Sequence, residues 1–371
     1  MLSFLSVKIY NVVGRMRFNI TAYFEHAKTI TYAGVRTCER AFLRKSGRET
    51  AMNKQLILRA KEAAQFTPSA GQRYFSANEY FKKLFGEKTY KLSFDAGFGC
   101  PNRDGKVGTG GCIFCSEGGS GDFAVPIGDD INSAFELAKS KVRAKTATDS
   151  FIAYFQSYSN TYAPIETLER LYSEIIDRND VRALSIATRS DCLEHGVYRL
   201  IARLSEKKHV FIELGLQTSN EKTAEKINRG YKLDVYDEAV KNLKRAGANV
   251  ITHVIIGLPG ETRNDILNTV EHVADVGSDG IKLQLLHVLK NTKLAEMYNR
   301  GEFDVLSKDE YIEILGDCVN ILPENVVIHR LTGDAPKKIL IAPEWSANKK
   351  DVLNSITKSF NERNVLQGSK R

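Results

Sequence analysis

Short apolar runs alternate with amphipathic segments along most of the chain. Runs with strand character are Tyr90–Phe94, Ser150–Gln156, Ala183–Thr188, Val210–Leu216, Asn249–Ile256 and Gly280–His287. Between them, apolar residues recur at helical spacing near 130–145, 164–178, 193–206, 234–246 and 262–276. Asp234 with Asp237, and Thr262 with Asp265, give the last two segments N-terminal helix signals. Six strands, each followed by a helix, predict a parallel α/β barrel or open sheet with right-handed crossovers. Such a fold gathers its functional loops at the C-terminal ends of the strands. Ahead of the first strand, Ser76 caps a helix-like stretch that runs to Phe85. Beyond the last strand, 291–322 reads as helical, Val326–Ile328 and Ile339–Ile341 as strands, and Lys349–Arg363 as a final helix. Together these predict a small C-terminal α/β layer.

Residues 1–72 lack this periodicity, and charge sets them apart again. They hold 12 Lys/Arg against 4 Glu, which accounts for the whole net charge of +8. Residues 330–371 carry 9 Lys/Arg against 4 Asp/Glu, so 73–329 is acidic by five charges. An acidic core with a basic C-terminal segment fits a catalytic barrel beside an anion-binding region, although a solvated basic tail gives the same balance. No run approaches 18 apolar residues, so no membrane span is expected. Lys8, Arg15 and Arg17 break the apolar start against a secretory signal, and the basic excess of 1–50 leaves an organelle-transit reading open. A cytoplasmic location is the expectation.

Three of the six cysteines crowd into sixteen residues, Cys100-Pro-Asn-Arg-Asp-Gly-Lys-Val-Gly-Thr-Gly-Gly-Cys112-Ile-Phe-Cys115, directly after the first strand. This crowding argues for a metal centre over disulfides. Three thiolates on a four-iron cluster leave one iron open to another ligand. Zinc is the alternative; it wants four ligands, and no His occurs between His26 and His195, which leaves only a distant fourth donor.

These residues carry a resemblance. Phe94-Asp-Ala-Gly-Phe-Gly-Cys100 through Cys115-Ser-Glu-Gly-Gly-Ser-Gly-Asp-Phe123 is similar to YhcC/YtqA-type radical S-adenosylmethionine (SAM) proteins, relatives of the elongator catalytic subunit. Further matching segments are Tyr154–Tyr162, Ala187–Leu193, Glu213–Gln217, Ile227–Gly230, Ile256–Thr262, His329–Ala335 and Ala342–Trp345. The first cysteine gap, eleven residues, is longer than the superfamily's commonest spacing and resembles that of elongator-type relatives. The resemblance implies a radical SAM (βα)6 partial TIM barrel over 73–290, an α/β C-terminal extension over 291–371, and no counterpart for 1–72. It implies a [4Fe–4S] cluster on Cys100, Cys112 and Cys115 with SAM chelating the open iron.

The same resemblance assigns SAM contacts. Gln156 and Ser157 stand where the superfamily has its motif for the amino group, without the usual Gly-Gly-Glu. Gln217 and Arg229 are spaced like a pair that holds ribose and carboxylate in coproporphyrinogen-oxidase-type relatives. Gly257 and Pro259 resemble the loop against which adenine packs. Thr188, Arg189 and Asp191 form a further polar strand end, in which Arg189 and Asp191 either pair or face substrate. His253 lies where some relatives carry Asp; on an apolar strand it reads as a core residue. Tyr162 and Trp345 are candidate base-stacking aromatics. The implied activity is reductive SAM cleavage with an electron donor such as flavodoxin or ferredoxin, followed by chemistry on a tRNA wobble-uridine side chain. The rival readings are a radical SAM enzyme on a small metabolite and a non-enzymatic zinc or RNA-binding protein.

Overall fold

The computed structural model describes residues 67–371 apart from 120, 122, 129, 144, 145 and 147. The basic segment 1–72 and the transit reading therefore lie almost wholly outside the described residues. The first helix, α1 (Ala77–Phe85), starts at Ser76, whose hydroxyl accepts from the Glu79 amide, and ends at Gly86 in the left-handed region. The expected six strands follow as β1 (Tyr90–Asp95), β3 (Phe151–Phe155), β4 (Val181–Thr188), β5 (His209–Gln217), β6 (Asn249–Ile256) and β7 (Gly280–Leu285). Two strands extend them: β2 (Val125–Pro126), a short edge the sequence did not announce, and β9 (Val327–Arg330). The sheet runs β2-β1-β3-β4-β5-β6-β7-β9, and every pair in it is parallel. All five residues of β3 are buried, as a parallel strand covered on both faces requires.

The sheet curls into a partial barrel. Tyr154 on β3 and Lys282 on β7 are four strands apart, which would be ~19 Å in a flat sheet at the usual strand spacing. Yet Lys282 Nζ donates to Tyr154 Oη at 3.2 Å, and Lys91 on β1 reaches Glu213 on β5 at 2.6 Å. The inward-facing residues stack in layers. The lowest is apolar, with Ile152, Ala183, Phe211 and Ile251, and α1 stoppers it with Tyr80 and Phe81. Above it lies a polar layer of Tyr154, Ser185, Glu213, His253 and Lys282. Two residues further along each strand come Gln156, Ala187, Gly215, Ile255 and Gln284, which face an open cavity.

Helices α2 (Ile131–Arg143), α3 (Ile165–Ile176), α4 (His195–Lys207), α6 (Leu233–Arg245) and α7 (Arg263–Asp275) cover the outside, with a short α5 (Glu221–Lys226) after β5. Thr262 and Asp265 form a complete capping box on α7. The expected Asp234 cap on α6 does not form. The helix begins at Leu233 behind Lys232, and Glu221 accepts from the Leu233 amide at 2.6 Å, so the end is satisfied from α5.

The C-terminal region differs from a separate layer. β9 joins the barrel sheet beside β7, and only β8 (Val288–Leu289) with β10 (Leu340–Ala342) forms a small antiparallel pair of its own. The helical stretch 291–322 is two helices, α8 (Lys293–Asn299) and α9 (Lys308–Ile321). Ser307 and Glu310 start α9 with a second capping box. The last helix, α10 (Lys349–Glu362), is as expected. Among the described residues, no helix is long and apolar enough to cross a membrane.

Candidate active site

The loop after β1 is folded by its own backbone. The Arg103 amide donates to Cys100 O at 2.9 Å, Gly111 N to Asn102 O at 2.8 Å and Cys115 N to Cys112 O at 3.0 Å. The Arg103 guanidinium ties the loop's end by donating to the carbonyls of Cys115 and Ser116 at 2.9 and 2.8 Å. Gly111 has φ +78°, and a Cβ there would sit 2.8 Å from Arg103 Nε, so both backbone and space favour glycine. Asn102 Nδ2 donates to Asn228 O at 2.6 Å, and Asn228 Nδ2 returns a bond to Gly111 O at 2.8 Å. These bonds pin the loop to the segment after α5.

Cys100, Cys112 and Cys115 are half-buried, form no disulfide, and line one cavity of about 250 Å³. Burial first, then the neighbouring Cys115 thiol, pushes Cys112 up to about 12, with Arg189 and Asn102 opposing. A metal centre held here would bind the sulfur as thiolate, with its proton released to solvent. Among the described residues, no group of three His, Cys, Asp or Glu side chains is placed to hold a single metal ion. Three thiols on one wall, wrapped by glycine backbone and approached at 3.8 Å by Asn102 Nδ2, fit a cluster with three protein ligands.

Of the other expected contacts, Gln156, Thr188 and Gln217 line the same cavity. Thr188 Oγ1 is 2.6 Å from Thr161 Oγ1, and Gln217 adopts φ +66° at the end of β5. Ser157, Arg229, Gly257 and Pro259 are not in the lining. Ser157 is buried against Gly121. Arg229 is 1% exposed and spends its donors on Thr218 O at 2.7 Å, Tyr231 O at 2.9 Å and Glu221 Oε1 at 3.1 Å. It braces the chain between β5 and α6 from behind the wall. Gly257 has φ +93°, with Leu306 packed where a Cβ would go. Arg189 lines the cavity but forks onto Asp191 at 2.8 and 2.7 Å, which selects the paired alternative. Tyr162 donates to Asp104 and Trp345 to Leu306 O, and neither lines the cavity.

The structure adds residues that the sequence reading passed over. Glu213 is fully buried and accepts from Lys91 and Ser185, both at 2.6 Å, from His253 at 2.8 Å and from Lys282. Burial alone would raise its carboxyl; Lys282, Lys91 and His253 outweigh that and hold it well below the ordinary range. Burial, reinforced by Lys282, pulls His253 down to about 4. Burial also pulls Lys282 down to about 7 against the attraction of Glu213. Glu213, His253 and Lys282 all line the cavity, as do His287, Arg330 and Asp334. His253 is therefore a cavity residue and not a core one. The available signal was ionisable residues inside mainly apolar strands, Lys91, Glu213, His253 and Lys282.

Comparison with known proteins places the chain in a family. Residues 97–273 match the radical SAM superfamily, and 278–362 match the radical SAM C-terminal domain. YtqA of Bacillus subtilis (strain 168) is 42% identical over 297 residues, 80% of this chain and 92% of that protein. The tRNA uridine(34) acetyltransferase of Methanocaldococcus jannaschii is 28% identical over 189 residues, 50% of this chain but 34% of its own length. Among solved structures, Methanocaldococcus infernus Elp3 with an N-terminal deletion shares the fold. Its TM-score is 0.58 at 17% identity, over 75% of this chain and 64% of that one. The chain belongs to the radical SAM superfamily, in the group that includes YtqA and YhcC, and is an enzyme whose cofactors are a [4Fe–4S] cluster and SAM.

Proposed function

We propose that Cys100, Cys112 and Cys115 hold the cluster and that the enzyme modifies a tRNA wobble-uridine side chain. The observation that carries the first part is three cysteines, none of them in a disulfide, lining one cavity that continues into the barrel. A cluster held by these cysteines would, reduced by a donor such as flavodoxin or ferredoxin, supply the electron for reductive cleavage of SAM to methionine and a 5′-deoxyadenosyl radical. Gln156, Thr188 and Gln217 present polar atoms to SAM from three strand ends, while Arg229 and the Gly257–Pro259 turn keep those ends in place. Apolar packing under the polar layer excludes water from below. Cysteines without disulfides are the rule in a reducing cytoplasm, where we place the reaction.

The tRNA part is supported by likeness to the tRNA uridine(34) acetyltransferase over half of this chain. A cavity of about 250 Å³ with charged groups at its base favours a small metabolite as the second reading. Anaerobic reconstitution tests the cluster. The wild type should bind iron and sulfide and form 5′-deoxyadenosine; Cys112→Ala should do neither. Zinc without iron, and no turnover, would overturn the assignment. Nucleoside mass spectra of tRNA from a deletion strain should lack or gain one wobble-uridine derivative, and spectra identical to wild type would leave the metabolite reading.

A further inference from the structure

The polar layer of the barrel is rich in cations. Lys282 is the register partner of His253 on β6 and of Arg330 on β9, so the three stand in a row across adjacent strands. All three line the cavity. The carboxylates facing this row are Glu213 and Asp334. Glu213 serves both Lys91 and Lys282, and Asp334 serves Lys349 at 2.5 Å and Arg330 at 3.3 Å. Lys91, Lys349, Arg330 and, when protonated, Lys282 thus share two carboxylates, and Arg330 and Lys282 line the cavity. Removing charge from water without full compensation is costly, and an anionic ligand relieves it.

A second feature shapes the same place. Gly333 also lines the cavity, and a Cβ on it would lie 2.5 Å from His287 Cε1 and 2.9 Å from Nδ1. Only glycine lets the chain after β9 close on that imidazole. Burial pulls His287 down to about 4, so the ring is neutral near pH 7 and offers a hydrogen bond without adding charge.

We propose that this part of the cavity is an oxyanion subsite in which Arg330 and Lys282, with His287 beside them, hold a carboxylate or phosphate group of the substrate. A guanidinium forks onto either group, and the lysine adds a point charge. Glu213 and Lys91 are positioning residues that fix Lys282 from below. The subsite rests on the cavity being the reaction site and holds for either substrate reading.

The test is direct binding, without turnover. Full-length protein, with its cluster and in a parallel apo series, is titrated calorimetrically with inorganic phosphate in one arm and succinate in the other. At least one probe should saturate, and the tighter arm identifies the group. Arg330→Gln and Lys282→Met should each weaken that probe by about tenfold or more, the worth of one charge-assisted hydrogen bond. SAM affinity of the holoenzyme should change by less than about twofold. If Lys282→Met does not fold, Arg330→Gln carries the test, because its side chain is a third exposed and Asp334 keeps Lys349. No saturable binding in either arm overturns the subsite. So does wild-type binding by folded Arg330→Gln, or an equal loss of SAM affinity. The apo series keeps the result readable even if the cluster assignment fails.

Discussion

The two ends of the cavity are built by opposite means. The cysteine loop is local: sixteen consecutive residues, folded by their own amides, carry all three thiols. The polar layer is assembled from single residues on β1, β3, β4, β5, β6, β7 and β9, separated by as many as 239 positions between Lys91 and Arg330. The loop is held by hydrogen bonds within itself and to the 227–230 segment, so a change there is contained. The layer is held by charge compensation among buried groups, where each member answers for several others.

Glu213→Gln should break this contrast most sharply. It leaves Lys91 and Lys282 without their carboxylate and should cost about 3–5 kcal/mol of stability in chemical denaturation. An unfolding curve matching wild type would show that the layer carries no such strain. Next in size is a pH effect. Lys282 has a folded value near 7 against an ordinary 10.5, set by burial with Lys91 and Arg330 against Glu213. Between those values the unfolded chain binds more protons, so stability should rise with pH from about 7 to 10.5. Lys282→Met should flatten that rise, as followed by denaturation at stepped pH.

On the loop side, Gly111→Ala should lower iron content per chain after reconstitution. It should shift the unfolding free energy by only about 1 kcal/mol, because strain at one positive φ is local. A loss as large as that of Glu213→Gln would erase the distinction between the two ends. Smallest of all, Arg330→Gln should change stability by less than about 1 kcal/mol, since its pair with Asp334 is partly exposed. Its effect belongs to anion binding and not to folding.

Legibility in the sequence followed the same division. The six strands were readable from their apolar runs, and α7 from its capping pair, because burial and capping are set by residues within a few positions of each other. The three cysteines were readable for the same reason. Asp234 misled because the partner that satisfies the start of α6, Glu221, lies 12 positions before Leu233. Arg229 looked like a ligand and is a brace, since only the folded chain shows the carbonyls of Thr218 and Tyr231 around its donors. His253 looked like core because the carboxylate that meets it, Glu213, is 40 residues away.

By itself, then, the sequence determined the alternation of strand and helix, the parallel sheet and the crowding of three cysteines after the first strand, all products of short-range spacing. Tertiary structure alone decided that β9 completes the sheet and that Arg330 stands beside Lys282. It also decided which polar strand ends open on the cavity. The physical reason is register. One residue's slip between strands turns a side chain from interior to exterior, and no local pattern records the neighbour against which that register is set.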